Sequence, residues 1–191
     1  MIETVMQEFE TMTCIRFVNR SNEQDYLSIE SGKGCWSYVG RNGGRQVLSL
    51  SVPSCIHYGL IPHELMHSLG FFHEHTREDR DNYIEVNWEN IAPANKAIFN
   101  FDDGNHQDLP YDYNSIMHYD RYSFSKVPGQ PVMVPKTNRT LSMGESPGMD
   151  NLDVMKINRL YKCGKDLSFC YLLKGNPSPG TLFSPLINNS Q

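Results

Sequence analysis

The sequence predicts a mixed α+β domain built around a short helix that carries metal ligands. Strand-like runs of β-branched and aromatic residues fill positions 14–52, between turn residues. Helical periodicity recurs at the start, middle and end of the chain, and its middle stretch contains His63, Glu64 and His67. A length of 191 residues suits one buried core, and hydrophobic and charged fractions of 39% and 20% are those of an ordinary globular protein. A net charge of −5 gives no footprint for nucleic acid or an anionic membrane as partner. No apolar run approaches the roughly 18 residues of a membrane span.

The N-terminal stretch has no basic start followed by an apolar run, so it is not a secretory signal. Ile2, Val5, Met6, Phe9 and Met12 instead share one helical face. An apolar helix face at the first residue predicts that the chain begins inside a domain. Residues 14–18 and 25–31 then form strands, and residues 34–52 a hairpin turning at Asn42-Gly43-Gly44, with its return strand from Gln46 to Val52. From Ile56 to Leu69 the pattern is helical, and Pro62 is tolerable only in the first turn, where its missing N–H is not needed.

From Glu74 to Gln107 the chain is polar with short helical pieces, and from Leu109 to Tyr122 it is a Pro- and Tyr-rich loop. A last helix runs from about Asp150, its N-cap, to Tyr161. Residues 1–163 are therefore expected to form one domain and residues 164–191 a poorly ordered tail rich in Gly, Pro, Ser and Asn.

Five cysteines, Cys14, Cys35, Cys55, Cys163 and Cys170, form no CxxC pair, which argues against a zinc ribbon. Their wide spacing reads as disulfides and an oxidising, extracellular compartment. Sequons at Asn19, Asn138 and Asn188 agree with secretion. Composition alone leaves the pairing open.

The chemistry lies in His63-Glu64-Leu65-Met66-His67-Ser68-Leu69-Gly70-Phe71-Phe72-His73. On a helix His63 and His67 are one turn apart on one face, close enough for both imidazoles to reach one ion. Glu64 lies beside the metal without ligating it, placed as the general base for water held there. Gly70 suits a helix end that redirects the chain, and His73 returns as third ligand. Three imidazoles leave a fourth position open, the arrangement of a catalytic zinc site. Three His, one Glu and one Gly at these offsets would arise in about two windows per ten million by chance, so a decorated structural helix is set aside.

This stretch resembles the metzincin signature HExxHxxGxxH, and Glu74-His75-Thr76-Arg77-Glu78-Asp79-Arg80-Asp81 resembles its continuation in the astacin family. Ser115-Ile116-Met117-His118-Tyr119 is similar to the family's Met-turn, SxMHY. The resemblance implies a metzincin catalytic domain, one Zn²⁺, Met117 as apolar floor of the site, and Tyr119 as an additional zinc ligand that swings out to stabilise the oxyanion. It implies the disulfides Cys35–Cys55 and Cys14–Cys163, leaving Cys170 without a partner. It also implies a segment ahead of the first helix whose amino terminus links to Glu74, and a prodomain that silences the zymogen. Pro62 departs from the family pattern. The run Arg77, Asp79, Arg80, Asp81 reads as a solvated or structural ion-pair cluster rather than a binding patch.

The expected architecture is an upper half with a twisted sheet, the first helix and the zinc helix, and a lower irregular half with the Met-turn and C-terminal helix. An extended peptide would bind in the cleft between them, along the hairpin's edge strand. The implied activity is that of a secreted zinc endopeptidase. Ile29 to Leu50 and the lack of an evident accessory module after Cys163 resemble the hatching-enzyme and ovastacin branch, which acts on egg-envelope glycoproteins. A digestive or matrix-processing astacin is one alternative. A catalytically silent zinc-binding module is another, but such modules usually lose the base, and Glu64 is intact.

Overall fold

The computed structural model describes residues 1–104, 106–164 and 183–185. It divides into two compact units, residues 1–70 with the described residues from Val154 onward, and Phe71–Asp153.

The first unit opens with α1 (Ile2–Met12), which buries Val5, Met6 and Phe9 as its 3.6-residue period demands. Thr13 ends the helix, its hydroxyl and N–H both donating to the Phe9 carbonyl. Phe9 meets Phe17 edge-on at 6.0 Å. Strands β1 (Phe17–Asn19), β2 (Tyr26–Glu30), β3 (Cys35–Ser37) and β4 (Arg45–Leu50) follow. β2 runs parallel to β4 in the register Ile29 opposite Leu48, and β3 pairs antiparallel with β4 in the register Trp36 opposite Ser49. The expected hairpin is therefore present, with the longer connection 38–44 and β3 at the sheet edge.

A further strand, β7 (Phe183–Pro185), stands antiparallel to both β1 and β2, giving the order β1-β7-β2-β4-β3. It falls within the stretch expected to be a tail. The rest of that stretch beyond Gly164, including Cys170, lies outside the described residues.

Helix α2 (Leu60–Ser68) starts four residues later than its periodicity predicts, because residues 52–55 close a turn in which the Cys55 N–H donates to the Ser51 carbonyl. Pro62 becomes the third helical residue, where an N–H has no intrahelical partner to lose. Gly70 follows at φ +106°, a conformation that strains any side chain, and its N–H closes on the His67 carbonyl at 2.9 Å. The structure contains both disulfides, Cys35–Cys55 and Cys14–Cys163.

The last helix, α3 (Asn151–Leu160), corrects one expectation. From Val154 onward it belongs to the sheet-bearing unit rather than to the irregular half. Cys163 is bonded to Cys14, Asn158 donates to the Met12 carbonyl at 3.1 Å, and the Tyr161 hydroxyl donates to the Leu69 carbonyl at 2.9 Å.

Among its described residues the second unit has little regular structure: four 3₁₀ pieces at Glu74–Thr76, Arg80–Asn82, Trp88–Asn90 and Pro93–Phe99, and a two-stranded sheet of β5 (Ile84–Val86) and β6 (Met133–Pro135). Neither strand was anticipated, since three residues are too short to display alternation. Ile84, Ile91, Phe99, Tyr111, Val132, Met133 and Met143 form its core. Buried carbonyls that no ladder satisfies need other donors. Arg77 donates to those of Leu109 and Pro110, and Arg80 to those of His75 and Phe99. Both arginines are buried and Asp79 is partly so, which makes the charged run a structural ion-pair cluster with Asp81 at its exposed rim. No helix among the described residues is long and apolar enough to cross a membrane.

Candidate metal centre

The one-turn spacing on α2 brings the His63 and His67 rings to 4.6 Å, nearly perpendicular. With the chain redirected at Gly70, one ring nitrogen from each of His63, His67 and His73 lies within 4.8 Å of the others. Three neutral imidazoles are a donor set suited to zinc. Glu64 is 4% exposed, and its Oε2 is buried with no hydrogen-bond partner among the described residues. An orphaned carboxylate oxygen is costly unless something polar belongs there, so the site fits a metal with its water. Burial pushes the Glu64 carboxyl up to about 7, the range in which a carboxylate both takes and releases protons near neutrality.

The chain after His73 is fixed to the Met-turn by the Glu74 N–H, which donates to the Met117 carbonyl at 2.9 Å. Met117 is buried. Tyr119 sits with its ring 4.5 Å from that of His73 and stacked at 4.5 Å on that of His75. His118 Nδ1 lies 2.6 Å from the Tyr119 carbonyl and so must carry the proton, leaving Nε2 to accept from the Tyr111 hydroxyl at 2.7 Å. Burial pushes the Tyr111 phenol far up, keeping it protonated for that bond. The Glu74 Oε1 accepts from the Arg77 guanidinium and the Asp112 N–H, both at 2.9 Å.

The profile of the astacin family, peptidase family M12A, matches residues 1–162. The chain belongs to the astacin family. It is 48% identical over 165 residues to the astacin-like metalloendopeptidase of Gallus gallus, covering 86% of this chain and 40% of that protein. It is 49% identical over 162 residues to high choriolytic enzyme 1 of Oryzias latipes, covering 85% of this chain and 60% of that protein. The chain thus spans about two fifths to three fifths of the length of these relatives. The solved structure of that medaka protein, described as a hatching enzyme zinc-protease, superimposes with a TM-score of 0.83 at 48% identity over 85% of this chain and 82% of its own. Myroilysin, at 20% identity and a TM-score of 0.57 over 85% of each chain, shares the fold.

In this astacin domain the three histidines anticipated from spacing are placed to hold one zinc ion. The residues that sequence reasoning missed are those around the Met-turn: His75 under Tyr119, Gly144 against the backbone of residues 118–120, and Asp153 bonded to Ser115. The only local signal among them was that Asp153 follows the N-cap Asp150 by three residues, the spacing of a capping box.

Proposed function

We propose that residues 1–163 are the catalytic domain of a secreted zinc-dependent endopeptidase that hydrolyses extracellular proteins, with egg-envelope glycoproteins as its substrate class. The observation that carries the reading is Glu64, a buried carboxylate on the helix that carries His63 and His67, whose Oε2 has no hydrogen-bond partner among the described residues, together with three imidazoles that converge. Two disulfides support an oxidising compartment. The substrate class is supported by similarity to a protein described as a hatching enzyme zinc-protease.

His63, His67 and His73 would hold a zinc ion, which would supply Lewis-acid chemistry for the scissile carbonyl and for water. Glu64 takes the proton from the attacking water and returns it to the departing amine. The Tyr119 phenol donates a hydrogen bond to the oxyanion that develops on the carbonyl, a contribution worth about 10²–10³ in rate when a single donor is removed. The substrate backbone adds as an extended strand to β3, the sheet-edge strand.

The test compares the wild-type chain with Glu64→Gln, an isostere that cannot act as base. One zinc per chain by atomic absorption is expected in both, with casein hydrolysis about 10²–10⁴-fold slower in the variant. Isolated egg envelope should be solubilised faster than collagen. Equal rates in wild type and variant would end the mechanistic reading, and a preference for collagen would end the assignment of substrate.

A further inference from the structure

Asp153, in the first turn of α3, is wholly buried and has no part in the constellation above. Both of its oxygens are engaged. Oδ1 accepts from the Ser115 hydroxyl at 2.6 Å, and Oδ2 accepts from the Ile116 N–H at 3.0 Å and the Asp150 N–H at 3.2 Å. The Asp153 N–H donates to Asp150 Oδ1 at 2.9 Å, so the two aspartates form a reciprocal cap on the helix. Asp112 and Asp150 have carboxylate oxygens within 4.8 Å of it. We do not read the three as a cation site, because Asp153 gives both oxygens to protein donors.

Capping a helix does not require a fully buried charge, and burying one is expensive unless charge-assisted hydrogen bonds offset it. Two of the bonds that do so here lead away from the helix, to two consecutive residues of the Met-turn. The clamp continues inward, since Ser115 Oγ accepts from the Met117 N–H at 3.1 Å. Two residues, Met117 and His118, separate this anchor from Tyr119, whose ring lies against His73 and His75. On the far side the backbone of His118, Tyr119 and Asp120 rests on Gly144, where no side chain would fit. The turn is held at its start by a charge and at its end by close contact, on either side of the point from which Tyr119 projects.

We propose that Asp153 is a positioning residue: its clamp on Ser115 and Ile116 sets the backbone from which Tyr119 projects, and so fixes the phenol for its role in turnover. This rests on the reading of Tyr119 as oxyanion donor.

The test is a double-mutant cycle of Asp153→Asn and Tyr119→Phe, read by kcat, KM, zinc stoichiometry and melting temperature. Asparagine keeps the shape but replaces one accepting oxygen by a donating NH₂, which cannot serve the donors that face it. Asp153→Asn alone is expected to lower kcat about 10²-fold, as a displacement of about 1 Å does, with KM and zinc content near wild type. In the Tyr119→Phe background it should change kcat by less than about threefold, because the group it positions is already gone. Ser115→Ala, which removes the hydroxyl's bonds to Asp153 and to the Met117 N–H but keeps the Ile116 bond and the cap, should show the same dependence on Tyr119 at about 10-fold. Asp150→Ala, which weakens only the cap, should lower the melting temperature and leave kcat alone. Equal slowing by Asp153→Asn with Tyr119 present or absent would overturn the proposal, as would an unchanged kcat. If Tyr119→Phe matches wild type, the oxyanion role itself fails, a result distinct from an additive cycle, and the positioning role falls with it.

Discussion

Replacing Gly144 by alanine tests whether the Met-turn is positioned by close contact. An added Cβ would lie 2.2 Å from the His118 carbonyl oxygen, 2.6 Å from the Tyr119 carbonyl carbon and 2.8 Å from the Asp120 nitrogen, all backbone atoms. Real Cβ contacts essentially never fall under 3.0 Å, so the turn must retreat by roughly 1 Å. The φ of +64° adds about 1–2 kcal/mol for any L side chain, and overpacking about 1–3 kcal/mol more. Gly129 isolates the first contribution, because its φ is +78° with nothing within 4 Å of the added carbon. Urea unfolding should therefore show Gly129→Ala destabilised by about 1–2 kcal/mol and Gly144→Ala by about 2–5 kcal/mol. Hydrolysis of a quenched peptide should be near wild type for the first and about 10²-fold slower for the second, with one zinc retained in both. If the two variants are equally stable and equally active, the Met-turn is not held in the way described.

Three other outcomes are expected. Cys14–Cys163 closes a separation of 149 residues and Cys35–Cys55 one of 20, so on the chain-entropy account Cys14→Ser/Cys163→Ser should cost about 5 kcal/mol in denaturant unfolding and Cys35→Ser/Cys55→Ser about 3; a reversed order would contradict it. Arg80→Met should cost about 2–5 kcal/mol, because the carbonyls of His75 and Phe99 lose their buried donor, and a melting temperature within 1–2 °C of wild type would show that water replaces it. In chelator-treated, metal-free protein the folded Glu64 titrates at about 7 against an ordinary 4.5. The folded chain then holds more protons than the unfolded one between those values, and stability falls as pH rises through that window, by up to about 3 kcal/mol. The difference in unfolding free energy between wild type and Glu64→Gln at pH 5 and pH 7.5 isolates this contribution, and parallel profiles would refute it.

Local periodicity made α1 legible, since an apolar face recurring every third or fourth position needs no distant partner to be recognised, although Met12, placed on that face, is exposed. The metal ligands were legible for a related reason. His63 and His67 are brought together by a single helical turn, and Gly70 at φ +106° lets the chain return His73 within three residues. The start of α2 was not, because helical spacing continues back to Ile56 while the Ser51–Cys55 turn, closed by a disulfide to Cys35, takes those residues out of the helix.

The sequence by itself thus determined the zinc-binding motif, the Asp150 cap and the alternating strands, all set by interactions within a few residues. Only the tertiary structure decided what depends on groups from 19 to 149 positions apart. Arg77 and Arg80 are buried where they donate to loop carbonyls, and α3 joins the first unit through the bond between Cys14 and Cys163. Asp153 reaches back 38 residues to Ser115, and Gly144 meets residues 118–120 without any spacing rule to announce it. Such contacts are chosen by how the chain packs, and a one-dimensional pattern carries no trace of which surfaces will meet.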